Sequence, residues 1–272
     1  MYQIIKVLNN NAILAGYEGS EQILLGRGIG FGKKAGETFG EIQGAKVYTL
    51  EAGEKQSSAR SAVNIIEPVY LEAAGRIIDE AEMVFDSVNR GILLPMADHI
   101  AFAVQREQQE NIQIPNPFIP DIKVLFGKEY AIALKGREII EEMTGYRISE
   151  DEVGFITLHI HSGLSNEQVS ETLKTTQLID DCMSLIEEEM GCVLKRDSLS
   201  CTRLLSHLYY TLIRADTGEG VNIDLNQFIE ENYPLAGKTA ALVCRYMEEQ
   251  LGKAIEREEI GFLAVHIQRA AV

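Results

Sequence analysis

The sequence predicts a multidomain protein: a small antiparallel β-sheet head domain, residues 1–56, followed by two homologous all-α helical-bundle domains, residues 57–170 and 171–272. Three observations predict this. Short β-prone runs fill the first residues, apolar positions recur at three- and four-residue intervals afterwards, and the helical part repeats itself at an offset of 107 to 110 residues. At 272 residues and 46% apolar content the chain also exceeds what one ordinary hydrophobic core organises.

In the head, YQIIKVL at 2–8, AILAGY at 12–17, EQILLGR at 21–27 and AKVYTL at 45–50 read as strands. The run Asn9, Asn10, Asn11 and the pair Glu18-Gly19 supply the turns between them. Seven glycines between Gly16 and Gly36 imply irregular, exposed backbone. So small a unit is marginal alone, and dimerisation is an expected way of completing its core. The polar, small-residue stretch AGEKQSSARS at 52–61 reads as a linker.

In the helical part, EVGFITLHI at 152–160 matches EIGFLAVHI at 259–267, with Glu, Gly, Phe, His and Ile identical. MADHIAFAVQR at 96–106 matches LLSHLYYTLIR at 204–214, and LFGKEYA at 125–131 matches LAGKTAA at 235–241. Two copies of one helical unit follow from these pairs. Asn- and Pro-rich stretches at 111–120 and 217–222 interrupt the helices.

Charge separates the parts. The net charge is −16, yet residues 1–55 carry six cations and six anions, so the whole deficit lies behind the head. A broad electrostatic grip on nucleic acid is thereby excluded for the body, and any polyanion contact is confined to the head. No secretion signal and no run of eighteen apolar residues occurs, so the chain is expected to be cytoplasmic, without a membrane span. Cys182, Cys192, Cys201 and Cys244 lack CxxC spacing and read as reduced, packed thiols.

Four of the five histidines occupy the repeated positions: His99 and His159 in the first copy, His207 and His266 in the second. A buried imidazole kept for packing is one reading, and an unprotonated nitrogen able to take a phosphoryl group is the other. Asp98 adjoins His99, Arg106 follows it by two helical turns, Arg214 follows His207 at the same distance, and Arg269 lies one turn beyond His266. Ser149 and Glu152 form a capping-box pattern that starts the helix bearing His159, with Glu152 on the same face as that histidine. No metal and no cofactor are expected: His159 and His161 stand about 200° apart on a helix, wrong for joint ligation. His161 faces Gln268 in the second copy and reads as incidental. The absence of a Walker-type loop or a Ser or Cys nucleophile motif argues against an enzyme.

Taken together, KVLNNNAIL at 6–14, GRGIGFGKKAG at 26–36, KVYTL at 46–50 and the doubled ExGFxxxH pattern resemble the BglG/SacY family of transcriptional antiterminators over essentially the full chain. The resemblance implies a co-antiterminator RNA-binding domain followed by two PTS regulation domains. It implies that the head dimerises, grips an RNA hairpin in a leader transcript and keeps an overlapping terminator from forming. The implied RNA surface is Lys6, Asn9, Asn11, Gly26, Arg27 and Phe31. This suits its chemistry, since asparagines and exposed backbone read loop bases, an aromatic ring stacks and two cations hold phosphates. It further implies that His99, His159, His207 and His266 receive phosphoryl groups from the sugar phosphotransferase system, a sugar permease usually inhibiting through one copy and the histidine phosphocarrier usually activating through the other. Ser162 stands where the second copy has Arg269, so His159 has less cationic support.

Two other readings compete. A phosphohistidine carrier would pass the group onward, and a DNA-binding activator with the same repeats would need a helix-turn-helix, for which residues 1–55 offer no helix-period stretch.

Overall fold

The computed structural model describes residues 1–40, 44–50, 63, 65–109, 114–165, 168–221 and 223–272. The proposed linker at 52–61 lies outside them. By their internal contacts, Met1–Asn116 and Lys128–Val169 form one compact unit, and Pro117–Gly127 with Ser170–Val272 forms a second.

The first unit opens with an antiparallel sheet of β1 (Tyr2–Val7), β2 (Ala12–Tyr17), β3 (Ser20–Leu25), β4 (Thr38–Phe39) and β5 (Lys46–Thr49), ordered β4-β1-β2-β3-β5. Four strands fall where the sequence places them. The two-residue β4 is an addition, paired to Tyr2 and Gln3 and held by the Tyr2 ring stacked on Phe39 at 5.2 Å.

Continuous apolar runs in β2 and β3 bury both faces of the sheet. Ile4, Ile13, Ala15 and Leu24 gather with Ile29 of the glycine-rich loop on one face. The paired residues Leu14, Ile23 and Tyr48 lie on the opposite face, and all three are buried. Over that face runs α1 (Pro68–Glu82), where Gly75 sits so close to Leu25 that a Cβ would lie 2.6 Å from the leucine side chain. Proline at the first turn of α1 suits a position whose N–H has no helical acceptor.

The rest of the first unit is a 3-10 turn (Arg90–Ile92), α2 (Leu93–Gln108), α4 (Gly127–Thr144) and α5 (Glu150–Ser165). Met96, Ile100, Ile132, Ile140 and Ile156 are buried residues of these helices, as Ile77 is of α1. The second unit takes α3 (Ile119–Leu125), α6 (Val169–Met190), α7 (Leu199–Thr217), α8 (Asn226–Asn232), α9 (Pro234–Leu251) and α10 (Arg257–Ala270). The repeat is visible helix by helix, α1 to α5 against α6 to α10.

Sequence punctuation sets the helix ends in the second unit. Ser198 caps α7 by accepting the Cys201 N–H at 3.1 Å, and Gly218 and Gly252 end α7 and α9 in the left-handed region. Cys182, Cys201 and Cys244 pack with Ile179, Leu205 and Val243 in this core as free thiols, and Cys192 is partly buried against it. Burial raises the proton affinity of all four thiols.

One glycine of the loop is demanded by close approach. A Cβ on Gly30 would stand 2.1 Å from the Asn9 carbonyl oxygen, to which no backbone can yield without breaking the loop. Gly30→Ala is therefore expected to destabilise the head by about 2 kcal/mol, read as faster hydrogen exchange in β1 to β3 with the second unit unchanged; equal exchange throughout would contradict this packing.

Candidate functional site

Each copy of the repeat builds the same constellation from two helices. In the motif helices α5 and α10, the Glu, Phe and His of ExGFxxxH fall at i, i+3 and i+7, which is one face. In the first unit that face meets α2. His99 lies 5.1 Å from His159 and 5.6 Å from Phe155, ring to ring. Its Nε2 stands 3.0 Å from Glu152 Oε2, and Arg106 donates through Nε at 2.8 Å and Nη2 at 2.7 Å to Glu152 Oε1.

The second unit repeats this between α7 and α10. His207 lies 4.7 Å from His266 and 6.4 Å from Phe262, with its Nε2 at 3.4 Å from Glu259 Oε2. Arg214 donates through Nε to Glu259 Oε1 and through Nη2 to Oε2 at 2.9 Å. Thr211 adds a hydroxyl donor to the same carboxylate at 3.1 Å.

Both glutamates have side chains only 4% exposed, so their charge is held by partners and not by water. Burial pushes each carboxyl up, but His99 with Arg106, and His207 with Arg214, outweigh it. Glu152 ends below the ordinary carboxylate range, and Glu259 falls to about 2. The second histidine of each pair is lowered too, which for an imidazole favours the neutral form. Burial, then the charge of His99, lowers His159 to about 3; burial, then His207, Arg269 and Arg203, lowers His266 to about 4. Both imidazoles are neutral at pH 7, which leaves a nitrogen lone pair available as a nucleophile. His99 and His207 keep 19% and 13% of their side-chain surface exposed.

Of the residues singled out in the sequence, the structure brings together His99, His159 and Arg106 in the first copy and His207, His266 and Arg214 in the second. Arg269 is exposed on α10 and acts on His266 through its charge. Asp98 is exposed on α2, and the carboxylate beside His99 is that of Glu152. Half of the capping box forms: Ser149 Oγ accepts the Glu152 N–H at 3.4 Å, while the Glu152 side chain turns to Arg106 and His99. Sequence reasoning missed Glu259 and Arg203. The signal for Glu259 was its identity with Glu152, seven residues before a repeated histidine. His161 is half-buried and its Nδ1 lies 3.1 Å from Glu129.

In the head, hydrogen bonds join the asparagine turn to the glycine-rich loop. Asn9 Oδ1 accepts the Asn11 N–H at 2.8 Å, and Asn11 Oδ1 accepts the Gly28 N–H at 2.9 Å. Gly26 and Gly30 donate to the Asn11 and Asn10 carbonyls, both at 2.9 Å. This ties the asparagine turn to the loop bearing Arg27 and Phe31. Arg27 is exposed, Phe31 is 76% exposed, and Lys6 is an exposed residue beyond the register shift of β1. A phenyl ring so placed contributes nothing to the core and offers a flat face for stacking.

Comparison with known proteins identifies the domains that carry these residues. A family model described as CAT RNA binding domain matches residues 2–57, and one described as PRD domain matches 75–163 and 180–270. The chain is 31% identical over 98% of its length, and 96% of the relative's, to the protein named GlcT of Staphylococcus saprophyticus. It is 28% identical to the transcription antiterminator LicT of Bacillus subtilis, over 98% of both. A crystal structure titled GlcT CAT-PRDI superposes with a TM-score of 0.53 at 34% identity, over 61% of this chain and 99% of that one.

The neutral histidines make stability depend on pH with a definite sign. Their folded proton affinity lies below the unfolded value near 6.5, so the unfolded chain takes up protons first as pH falls. Stability is full above about pH 6.5 and is lost below it, by up to about 1.4 kcal/mol per pH unit for the buried His159 and by less for the half-buried, partly solvent-screened His266. Between pH 6.5 and 5 the double variant His159→Gln, His266→Gln is expected to show a flatter decline of Tm than the wild type; parallel curves would show that neither imidazole is held neutral.

Proposed function

The chain belongs to the transcriptional antiterminator family that joins a CAT RNA-binding domain to two PRD domains, and on that premise we propose how it works. Residues 1–56 form the RNA-binding domain, residues 57–170 and 171–272 the two regulation domains. As a homodimer the head binds an RNA hairpin in a leader transcript and prevents the overlapping terminator from forming. Phosphorylation of His99, His159, His207 and His266 by a sugar permease and the histidine phosphocarrier of the phosphotransferase system sets its activity. The protein is a cytoplasmic receiver of phosphoryl groups, not an enzyme.

One observation carries the regulatory half: the same imidazole pair, buried glutamate and arginine recur in both copies of the repeat. The chemistry is direct. An unprotonated imidazole nitrogen attacks the phosphorus of the donor's phosphohistidine, the donor's N–P bond breaks, and the phosphoryl group stays on the acceptor. It brings about two negative charges to a site that already holds a carboxylate. Glutamate and phosphate cannot share one arginine in a buried site without strong repulsion. The phosphate, with three acceptor oxygens, takes Arg106 or Arg214, and the glutamate is released. Since Glu152 and Glu259 tie α5 to α2 and α10 to α7, the exchange resets the helix pair in each unit.

The RNA half is supported by the exposed Phe31 and the asparagine turn. Selection from a pool of RNA hairpins with randomised loops is the test. The full chain is expected to enrich one hairpin family, Asn11→Ala and Phe31→Ala to lose at least tenfold in affinity for it, and a phosphorylated chain to bind it differently from the unmodified one. Unchanged affinity in both variants would defeat the reading.

A further inference from the structure

The asparagines that face RNA in the reading above are already occupied. Asn9 Nδ2 donates to Glu72 Oε1, and Asn11 Nδ2 donates to Glu72 Oε2 at 2.9 Å. Glu72 belongs to α1, 61 residues beyond Asn11, within the same compact unit. Further along the helix, Lys46 of β5 is paired with Asp79 and with Glu82, the latter at 3.0 Å. Positions 72, 79 and 82 fall on one stripe of a helix, so α1 turns a row of carboxylates to the head.

Between helix and head lies a cleft of about 330 Å³, lined by Asn11, Gly26, Arg27, Lys46, Glu72 and Asp79. Its amide groups and two of its cations, Arg27 and Lys46, come from the head, while α1 supplies the carboxylates of Glu72 and Asp79 together with Arg76. Gly75, at the centre of the stripe, lets the helix come down onto Leu25 and Tyr48. Of the other charges of α1, Arg76 also lines this cleft while its guanidinium is paired with Glu142 at 3.0 Å, and Glu80 is paired with Lys135 at 2.8 Å.

We propose that the acidic stripe of α1 is an intrachain occupant of the RNA surface, which RNA must displace before it reaches Asn9 and Asn11. The inference rests on the assignment of those asparagines to RNA. A carboxylate accepts from an amide N–H as a base edge or a phosphate oxygen does, so Glu72 satisfies the donors that RNA would otherwise satisfy. Phosphates brought alongside would meet Glu72, Asp79 and Glu82, and like charges at that distance exclude one another. Helix and RNA therefore compete for one set of donors. The first helix of the first regulation domain then restrains the head directly, and anything that shifts α1 changes RNA affinity.

The test is a gel shift of the full chain on the pool of RNA hairpins with randomised loops, at fixed salt. Glu72→Ala is expected to bind about tenfold more tightly than the wild type, as removal of two charge-assisted bonds implies. Glu72→Gln, which keeps the shape and one acceptor, is expected to fall between the two. Glu80→Ala removes the same charge from the same helix on a side away from the head, and is expected to leave affinity within twofold. If Glu72→Ala and Glu72→Gln bind no more tightly than Glu80→Ala while Asn11→Ala remains defective, the competition is overturned and the RNA surface stands. If Asn11→Ala binds as the wild type does, the surface itself is wrong and the competition falls with it.

Discussion

A buried glutamate shared between an arginine and a histidine is the interaction on which each regulatory unit turns. Glu152 and Glu259 are almost fully withdrawn from water, and an ion so placed is tolerable only because its partners reach it from a second helix. The contact therefore does two things at once. It fixes how the motif helix sits against the helix bearing His99 or His207, and it holds an anion where a phosphoryl group would arrive. An arginine satisfied by carboxylate is equally well satisfied by phosphate, so it keeps a partner when the occupant changes, while the displaced glutamate loses its own and must move toward water.

The second histidine of each pair completes the arrangement by staying neutral. Burial removes the hydration an imidazolium needs, and the charge on the facing histidine adds to the penalty. His159 and His266 are thus held without a proton at neutral pH. The difference between copies is also physical. His266 has Arg269 and Arg203 within electrostatic reach, whereas the first copy has the buried Ser162 at the position of Arg269 and its hydroxyl donates to the His159 carbonyl at 3.1 Å. The second copy presents the more cationic setting for a phosphate.

Much of this was legible in the sequence because periodicity records burial. The β-prone runs AILAGY and EQILLGR announced strands, though that both their faces are covered shows only in the fold, and the doubled ExGFxxxH placed Glu, Phe and His on one helical face. What stayed hidden depends on distance along the chain. Two residues held by an aromatic stack, as in β4, leave no periodic trace. A glutamate in the first turn of a helix reads as a cap, and only the fold shows Glu152 reaching Arg106 across 46 positions. Glu72 carries no local mark of its bond to Asn11 at all. The segment Pro117–Gly127 precedes the first copy's α4, yet Asp121 joins Arg196 and Phe126 packs edge-on against Tyr209 in the second unit.

The exchange of carboxylate for phosphate on arginine can be observed at the guanidinium itself. In the full chain with 15N-labelled arginine, the Nε–H resonance of Arg214, assigned through Arg214→Lys, is compared before and after His207 is phosphorylated by the phosphocarrier. The account predicts that this resonance shifts and acquires a coupling to 31P as the guanidinium leaves Glu259. A resonance that stays in place at full phosphorylation, with Glu259 still bound, would contradict it.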